Sequence, residues 1–261
     1  MTLAEQVRAA YDASGVAWGN GPRSLYTELA GPLLAAAGDV AGRRVLDVGT
    51  GAGAVATLLR RNGADVVACD GSLGMLVPEA GDRPPAVVGD ALALPLRDGA
   101  FDLAVAGFVL NHLPEPVRAV QEMARVVRPS GAVVATTFAG DAAEEAKAHL
   151  DAVAERHGWA KPSWYAALRD TPLFRPEPAA ARAVLAAAGL CHVQVERTMV
   201  RRVLSADEVL AWRWGMAHLA PFVSGLAPEQ RQSLDAEARA GLPDVGPLEF
   251  PVLVMAGQVR S

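Results

Sequence analysis

The chain has 261 residues, which is enough for one large domain or for a domain with a modest cap. Hydrophobic residues make up 51% and charged residues 20%, so the chain can bury a sizeable core and is too apolar to be disordered. The net charge is −5 and no Lys/Arg-rich run is present, which argues against nucleic acid as a substrate or partner.

The N-terminal stretch MTLAEQVRAAYD lacks the basic segment and apolar core of a signal peptide. No uncharged apolar stretch is long enough to span a bilayer. Cys69 and Cys191 lie in or just before strand-like runs, which favours buried thiols, and no His/Cys pair has metal-ligand spacing. We therefore expect a cytoplasmic protein without a metal ion or a membrane anchor.

Strand-like runs alternate with helical patterns over residues 43–140, and glycine or proline separates them. The predicted elements are, in order, strand RRVLDVG, helix AVATLLRRNG, strand ADVVACD, short helix SLGMLVPEA, PAVVGDALALPL as a strand that runs into a loop, strand GAFDLAVAGFVL, helix PEPVRAVQEMARVVRPSG and strand AVVATTFAG. The predicted helix PEPVRAVQEMARVVRPSG carries Val117, Val120, Ala124 and Val127 on one face. This alternation predicts an α/β protein whose parallel sheet has helices on both faces.

The pattern loosens after residue 140. The predicted elements there are helix DAAEEAKAHLDAVAERHG, the loop WAKPSWYAALRDTPLF, helix AAARAVLAAAGL, strand VQVERTMVRRVL, a helical insert at about 205–240 and the last strand LEFPVLVMAGQV. We find no internal repeat and no low-complexity linker. One domain is expected over residues 1–261, with residues 1–42 preceding the core at 43–140 and residues 141–261 completing it.

A glycine-rich turn follows the first predicted strand in VLDVGTGAGAVATLL. Such a turn lets a ligand approach the backbone and directs the N–H groups of a helix N-terminus toward it. Gly49, Gly51 and Ala54 also satisfy the relaxed dinucleotide pattern, with Asp70 at a plausible distance for a ribose. The turn alone therefore fits a nicotinamide dinucleotide, another adenosine ligand or a turn without a ligand.

Further residues favour an adenosine ligand other than a nicotinamide dinucleotide. A carboxylate at Asp47, two residues before the first glycine, would attract a cation or amine if it faced the ligand, and would disfavour a pyrophosphate. Gly53 tightens the turn. Asp90 could accept a hydrogen bond from an adenine amino group while Ala91 and Leu92 pack on the ring, or it could simply cap its own loop.

Four stretches resemble, in order, the motifs of class I S-adenosylmethionine-dependent methyltransferases: VLDVGTGAG, the acid in VVACDGS, GDALALPLRDGAFDLAV and LNHLPEPVRAVQEMARVVRPSGAVV. The resemblance is closest to the methyltransferase type 11 branch, which acts on small molecules in quinone and natural-product biosynthesis. It implies a Rossmann-like sheet of seven mostly parallel strands, an antiparallel last strand and helical caps. Residues 1–42 would then be an N-terminal helical lid, residues 43–140 the cofactor-binding core, and residues 141–261 the acceptor-side half with its helical insert at about 205–240. The implied cofactor is S-adenosylmethionine, with S-adenosylhomocysteine as product.

The resemblance also implies roles for individual residues. Asp70 would take both ribose hydroxyls, while Gly107 and Phe108 would meet the methionyl part near the reacting methyl. Tyr11, in a helix that would fold over the cofactor, could bind the methionyl carboxylate or the acceptor, or could pack at the domain edge. The full set of expected cofactor-binding residues is Tyr11, Asp47, Gly49, Thr50, Gly51, Gly53, Asp70, Gly71, Asp90, Ala91, Leu92, Gly107 and Phe108.

His112, which follows the fourth strand, is the first candidate for a general base, and ordering of the pocket wall is the alternative role. His218 is a second, weaker candidate. The expected acceptor pocket consists of Trp18, Asn111, Trp212, Met216 and Phe222, although core packing is an equally ordinary use of such residues.

The leading prediction is O-, C- or N-methylation of a small, apolar or aromatic, natural-product-like acceptor by a monomer or homodimer. A natural-product cyclase with the same cofactor motifs is an alternative, and an NAD-dependent dehydrogenase is a weaker one. Protein or nucleic-acid methylation is disfavoured, because no basic groove and no NPPY-like motif follows strand four, where FVLNHLPEP stands.

Overall fold

A computed structural model describes residues 1–78, 83–140, 143–242 and 247–261. Seven strands form one sheet. They are β1 Arg44–Val48, β2 Asp65–Asp70, β3 Ala86–Val88, β4 Phe101–Gly107, β5 Val127–Phe138, β6 Cys191–Arg202 and β7 Leu248–Gln258.

The strand order across the sheet is β3-β2-β1-β4-β5-β7-β6. Strands β1 to β5 pair in parallel, whereas β7 runs antiparallel between β5 and β6. From β1 the sheet grows in two directions: β2 and β3 lie on one side of it, and β4 and β5 lie on the other. A crevice therefore opens beyond the carboxyl ends of β1, β2 and β4. The predicted α/β fold, with seven mostly parallel strands and an antiparallel last strand, is confirmed.

Helices precede, connect and cap the strands. Those of the described residues are α1 Leu3–Asp12, α2 Gly15–Asn20, α3 Pro22–Leu29, α4 Gly31–Ala37, α5 Ala54–Arg61, α6 Leu73–Leu76, α7 Pro116–Val126, α8 Glu144–Arg156, α9 Ser163–Ala167, α10 Pro178–Ala187, α11 Ala206–Trp214, α12 Ala220–Ser224 and α13 Pro228–Ala240. Short 3-10 turns lie at Leu110–His112 and Leu168–Asp170. None of these helices is long and apolar enough to cross a bilayer.

Helices cover both faces of the sheet because successive side chains of a strand point to opposite faces. On β1, Val45 packs with α4 and α5, while Leu46 packs on the other face with the cluster that includes α7 and α10. Complete burial of one such aliphatic side chain contributes about 1.5–3 kcal/mol. These two apolar layers hold the strand ends, and therefore the crevice, in fixed positions.

A third apolar cluster joins the N-terminal helices to the acceptor-side half. Leu29 of α3, Leu150 of α8 and Phe250 of β7 are fully buried in it. The guanidinium of Arg213, only 2% exposed, pairs there with the carboxylate of Asp151. Because a buried cation needs such a partner, this ion pair fixes α11 against α8.

Some predicted boundaries change. Val127, predicted on the helical stripe, begins β5 and pairs with Phe101 of β4, because α7 ends at Val126. The predicted third strand shortens to Ala86–Val88, and the predicted loop at 159–174 contains α9 and a 3-10 turn. Parts of two predicted helices, at 79–80 and 141–142, lie outside the described residues.

Candidate active site

A cavity of about 460 Å³ lies at the carboxyl ends of β1, β2, β4 and β5. The sheet supplies its floor, and side chains of α1, α2 and α3 form its roof. Its volume falls within the range of small-molecule sites. Most of the residues expected to bind the cofactor line it, namely Tyr11, Gly49, Thr50, Gly51, Asp70, Gly71, Asp90, Ala91, Leu92, Gly107 and Phe108.

The glycine turn between β1 and α5 has a left-handed backbone at each of its glycines. Gly49 has a φ of 66°, and a Cβ there would lie 2.9 Å from the Cβ of Val109. A side chain at position 49 would therefore be strained and would collide with the loop after β4. Gly53, which precedes α5, shares the left-handed conformation but does not line the cavity.

The Asp70 carboxylate, at the end of β2, joins two turns. Its Oδ2 accepts the N–H of Gly51 at 2.7 Å, and its Oδ1 accepts the N–H of Ser72 at 2.9 Å. Burial raises the pKa of Asp70, although these two N–H groups oppose the rise. A carboxylate has about four acceptor positions, so this one can still accept hydrogen bonds from a diol.

Asp90 lies on the same side of the cavity as Asp70, because it follows β3, which pairs with β2. Its Oδ1 accepts the N–H of Leu92 at 2.8 Å, so it does cap its own turn. Asp90, Ala91 and Leu92 all line the cavity as well, so the capping role and a ligand contact are compatible.

Asp47 lies elsewhere than the sequence predicted. Its side chain is 0% exposed and shares the face of β1 with Val45, toward the first turn of α5, and the cavity wall includes Val48 but not Asp47. Burial raises the pKa of Asp47 to about 7, and the nearby Thr50 hydroxyl and Ala56 N–H oppose this rise. Neither carboxylate oxygen has a hydrogen-bond partner of ordinary geometry among the described residues. The expectation that this carboxylate faces the ligand is therefore not met.

Four aromatic rings line the cavity and contact one another in succession. We call them the aromatic wall: Trp18, Tyr26, Phe108 and Phe138. The ring centroids are 5.2 Å apart for Trp18–Tyr26, 5.3 Å for Tyr26–Phe108 and 4.7 Å for Phe108–Phe138. Phe108 has a φ of 58°, a strained conformation for a residue with a side chain and one that recurs at functional sites. The predicted Trp18 and Phe108 are therefore brought together.

The sequence did not single out Tyr26 or Phe138. Phe138 ends β5 and so faces the same edge of the sheet as the glycine turn. The position of that strand end could have identified it. Tyr26 carries no such signal, because it reaches the cavity only through the packing of α3 against the sheet.

Tyr11 and His112 meet across the cavity roof. The Tyr11 hydroxyl lies 3.4 Å from Nε2 of His112, and both side chains line the cavity. Burial lowers the pKa of His112 to about 4 and raises that of Tyr11. His112 is therefore a neutral imidazole near pH 7. Asn111 beside it also lines the cavity, and its backbone oxygen accepts the Thr171 hydroxyl at 2.7 Å.

Three predicted acceptor-side residues do not line this cavity. Trp212 is buried against Phe250, with ring centroids 5.6 Å apart, because α11 turns that face toward β7. Phe222 and His218 line a separate surface depression, where the His218 ring stacks on Tyr165 at 3.7 Å. The packing of the cap helices therefore places His218, the second base candidate, and the expected pocket residues Trp212 and Phe222 outside the cavity.

Met216 takes an intermediate position. It packs against the cluster of Trp18, Ala52 and Met75 and does not line the cavity itself. It therefore supports the aromatic wall from behind. Within the described ranges, no group of three or more His, Cys, Asp or Glu residues could hold a metal ion.

Comparison with known proteins identifies the central part of the chain. Residues 46–135, which include β1, the glycine turn, Asp70 and Asp90, match the family described as a methyltransferase domain. This match covers about a third of the chain. The resemblance to class I S-adenosylmethionine-dependent methyltransferases that the sequence motifs indicated is thereby confirmed.

A curated relative is the demethylmenaquinone methyltransferase of Renibacterium salmoninarum, which is 43% identical over 108 residues. These residues are 41% of this chain and 46% of the relative, so the chain spans less than half the length of the curated relatives it matches.

Two solved structures share the fold over most of the chain. Phosphoethanolamine N-methyltransferase 2 of Haemonchus contortus, in complex with S-adenosyl-L-methionine, has a TM-score of 0.53 and 17% identity and covers 96% of this chain and 57% of its own. The cyclase SpnF has a TM-score of 0.53 and 20% identity and covers 90% of this chain and 80% of its own. At such identities the likeness shows the fold alone.

The buried Asp47 predicts a pH dependence of stability. Its folded-state pKa of about 7 lies above the ordinary 3.8, so its buried charge destabilises the fold above pH 7 and that cost disappears as the pH falls toward 4. Asp47→Asn removes the ionisation. We expect its free energy of unfolding relative to wild type to rise between pH 5 and pH 8, by about 2.6 kcal/mol.

Urea unfolding at both pH values measures this difference. The exposed Asp39, whose Oδ1 accepts the N–H of Ala41, provides the matched control Asp39→Asn, for which no pH-dependent difference is expected. An equal difference between Asp47→Asn and wild type at pH 5 and pH 8 would contradict the assignment.

Proposed function

We propose that the protein transfers a methyl group from S-adenosylmethionine to a small aromatic acceptor. The observation that carries this proposal is one cavity with two unlike linings. Asp70 and the glycine turn supply polar groups, and the aromatic wall, whose Trp18 packs beside that turn, supplies ring surfaces. The family match over residues 46–135 supports the cofactor assignment.

The residues of the cavity fit the cofactor. Asp70 would accept hydrogen bonds from the two ribose hydroxyls, since its carboxylate keeps acceptor capacity beyond the two N–H groups it binds. Asp90, Ala91 and Leu92 would hold the adenine, and the backbone around Gly49 would approach the methionyl part. When bound, the cofactor supplies an electrophilic methyl group on a sulfonium.

The protein contributes position and a dry environment. Methyl displacement needs the nucleophile in line with the sulfur–methyl bond, and such positioning is worth about 7–11 kcal/mol. The aromatic wall and the roof helices would exclude water from the acceptor. His112, neutral and next to this region, would accept the proton of a hydroxyl nucleophile, with Tyr11 as its hydrogen-bond partner.

A planar ring is the acceptor that the aromatic wall suits best, because it offers ring faces and edges to stack against. Matched relatives are named demethylmenaquinone methyltransferases, which adds a quinone-like ring to the natural-product-like acceptors expected from the sequence. Three of the four rings of the aromatic wall, Trp18, Tyr26 and Phe138, lie outside the matched segment of residues 46–135, so a panel of candidate acceptors is the suitable test.

A non-methylating cyclase would use the same cofactor cavity, so the product distinguishes the two functions. Incubation with S-adenosylmethionine and a panel of quinols and phenols should form S-adenosylhomocysteine together with a product heavier by one methylene unit. A cyclised product without S-adenosylhomocysteine would support the cyclase instead.

Ligand-induced stabilisation tests the cofactor assignment. At a concentration of about 100 times its Kd, S-adenosylhomocysteine should stabilise the protein by about 2.7 kcal/mol, which raises Tm by about 5–11 °C. NAD should leave Tm unchanged. Asp70→Ala should abolish most of the shift, because it removes the acceptor for the ribose. A shift with NAD and none with S-adenosylhomocysteine would favour the dehydrogenase.

Kinetics of His112→Ala separate the two roles of this residue. If His112 accepts the proton, kcat should fall by about two powers of ten while the Kd of S-adenosylhomocysteine changes little. Tyr11→Phe should lower kcat less, because the imidazole remains. A parallel loss of cofactor affinity and turnover would assign His112 to ordering of the cavity wall.

A further inference from the structure

We propose that Asp12, at the end of the roof helix α1, is a positioning residue that sets the geometry of Asp70 and couples closure of the roof to cofactor binding. This inference rests on the proposed function, because Asp70 matters in this way only if it holds the cofactor ribose. Asp12 itself does not line the cavity.

A continuous chain of hydrogen bonds carries the inference. Oδ1 of Asp12 accepts the Ser72 hydroxyl at 2.7 Å and the N–H of Gly74 at 2.9 Å. The N–H of Ser72 donates to Oδ1 of Asp70 at 2.9 Å, and Oδ2 of that carboxylate accepts the N–H of Gly51 at 2.7 Å. Helix α1 is thereby connected to the glycine turn through the turn that follows β2.

Close backbone packing makes this connection stiff. A Cβ on Gly74 would lie 2.6 Å from the Cα of Asp12, and one on Gly15 would lie 2.6 Å from the carbonyl carbon of Gly74. The end of α1, the start of α2 and the start of α6 therefore touch backbone to backbone. Such contact is possible only with glycine at positions 15 and 74.

The same helix carries the roof of the cavity. Val7, Arg8 and Tyr11 of α1 line the ligand space, one to two turns before Asp12. When Asp12 binds the turn after β2, these side chains close over the cavity and the Asp70 carboxylate is held between Ser72 and Gly51. A ligand that requires this arrangement of Asp70 would also favour docked α1, and the two equilibria would reinforce each other.

The size of the effect follows from the exposure of the partners. Ser72 is only 2% exposed, whereas Asp12 lies at the surface. A hydrogen bond to a charged group contributes modestly when water can replace it. Loss of both acceptor contacts of Asp12 should therefore weaken cofactor binding about five- to tenfold rather than abolish it.

Calorimetric titration of the full-length protein with S-adenosylhomocysteine tests the proposal. Asp12→Ala should raise Kd about five- to tenfold. Asp12→Asn keeps an Oδ1 acceptor for both donors, so it should stay within about threefold of wild type. Asp39→Ala removes another exposed aspartate that accepts a backbone N–H and does not line the cavity, and it should leave Kd unchanged.

A double-mutant cycle shows whether Asp12 acts through Ser72. Ser72 also accepts the N–H of Met75, so Ser72→Ala has a cost of its own, and only non-additivity with Asp12→Ala counts. The expected result is that Ser72→Ala weakens binding less in the Asp12→Ala protein than in wild type. Amide hydrogen exchange in α1 should also slow on addition of S-adenosylhomocysteine in wild type but much less in Asp12→Ala.

The outcomes separate the two levels of the proposal. If wild-type protein does not bind S-adenosylhomocysteine, the proposed function fails. If wild type binds it and Asp12→Ala binds equally well, or the cycle is additive, only the positioning role is overturned. Should Asp12→Ala fold poorly, Gly74→Ala, which pushes α1 away from the same turn, must weaken binding, and wild-type affinity there would also overturn the role.

Discussion

The hydrogen bond from the Gly51 N–H to the Asp70 carboxylate is the contact on which the cavity depends. It joins the turn after β1 to the end of β2, two segments 19 residues apart in the chain. Neighbouring parallel strands end at the same edge of the sheet, so the acid and the turn meet there without any long-range loop. Burial makes the charge of Asp70 costly, and its backbone donors offset that cost.

From this contact the structure extends in two directions. Through Ser72 and Asp12 it reaches α1, so the roof is attached to the element that holds the proposed ribose site. Along the sheet edge it reaches the ends of β4 and β5, where Phe108 and Phe138 face the N-terminal helices. Polar and aromatic linings thus meet in one cavity, in which Phe108 and Phe138 come from strand ends and Trp18 and Tyr26 come from the helices that cover them.

Local patterns in the sequence were enough to predict the polar lining of the cavity. Strand and glycine periodicity places Gly49, Asp70 and Asp90 at one sheet edge, and all three line the cavity. Asp47 shows the limit of this reasoning. Its position beside the turn is readable, but the alternation of side chains along β1 turns it toward α5. The spacing of residues in the sequence does not show which face of the sheet a given side chain points to. That requires the register of the strand.

The acceptor site was less predictable because it forms from elements distant in sequence. Trp212, Phe222 and His218 lie near one another in the chain, yet packing of α11 and α12 sends them into the core and to another surface. Tyr26 enters the cavity only because α3 packs over the sheet. Aromatic residues on a helix serve a core or a pocket equally well, and only tertiary contacts decide between them.

A crystal structure with S-adenosylhomocysteine bound tests the central claim most directly, because it shows both linings of the cavity at once. The proposed function predicts that the ribose hydroxyls lie within hydrogen-bond distance of the Asp70 carboxylate. It also predicts that the sulfur faces the aromatic wall formed by Trp18, Tyr26, Phe108 and Phe138. A ligand whose ribose lies away from Asp70, or that occupies the depression beside His218 and Phe222, would contradict it.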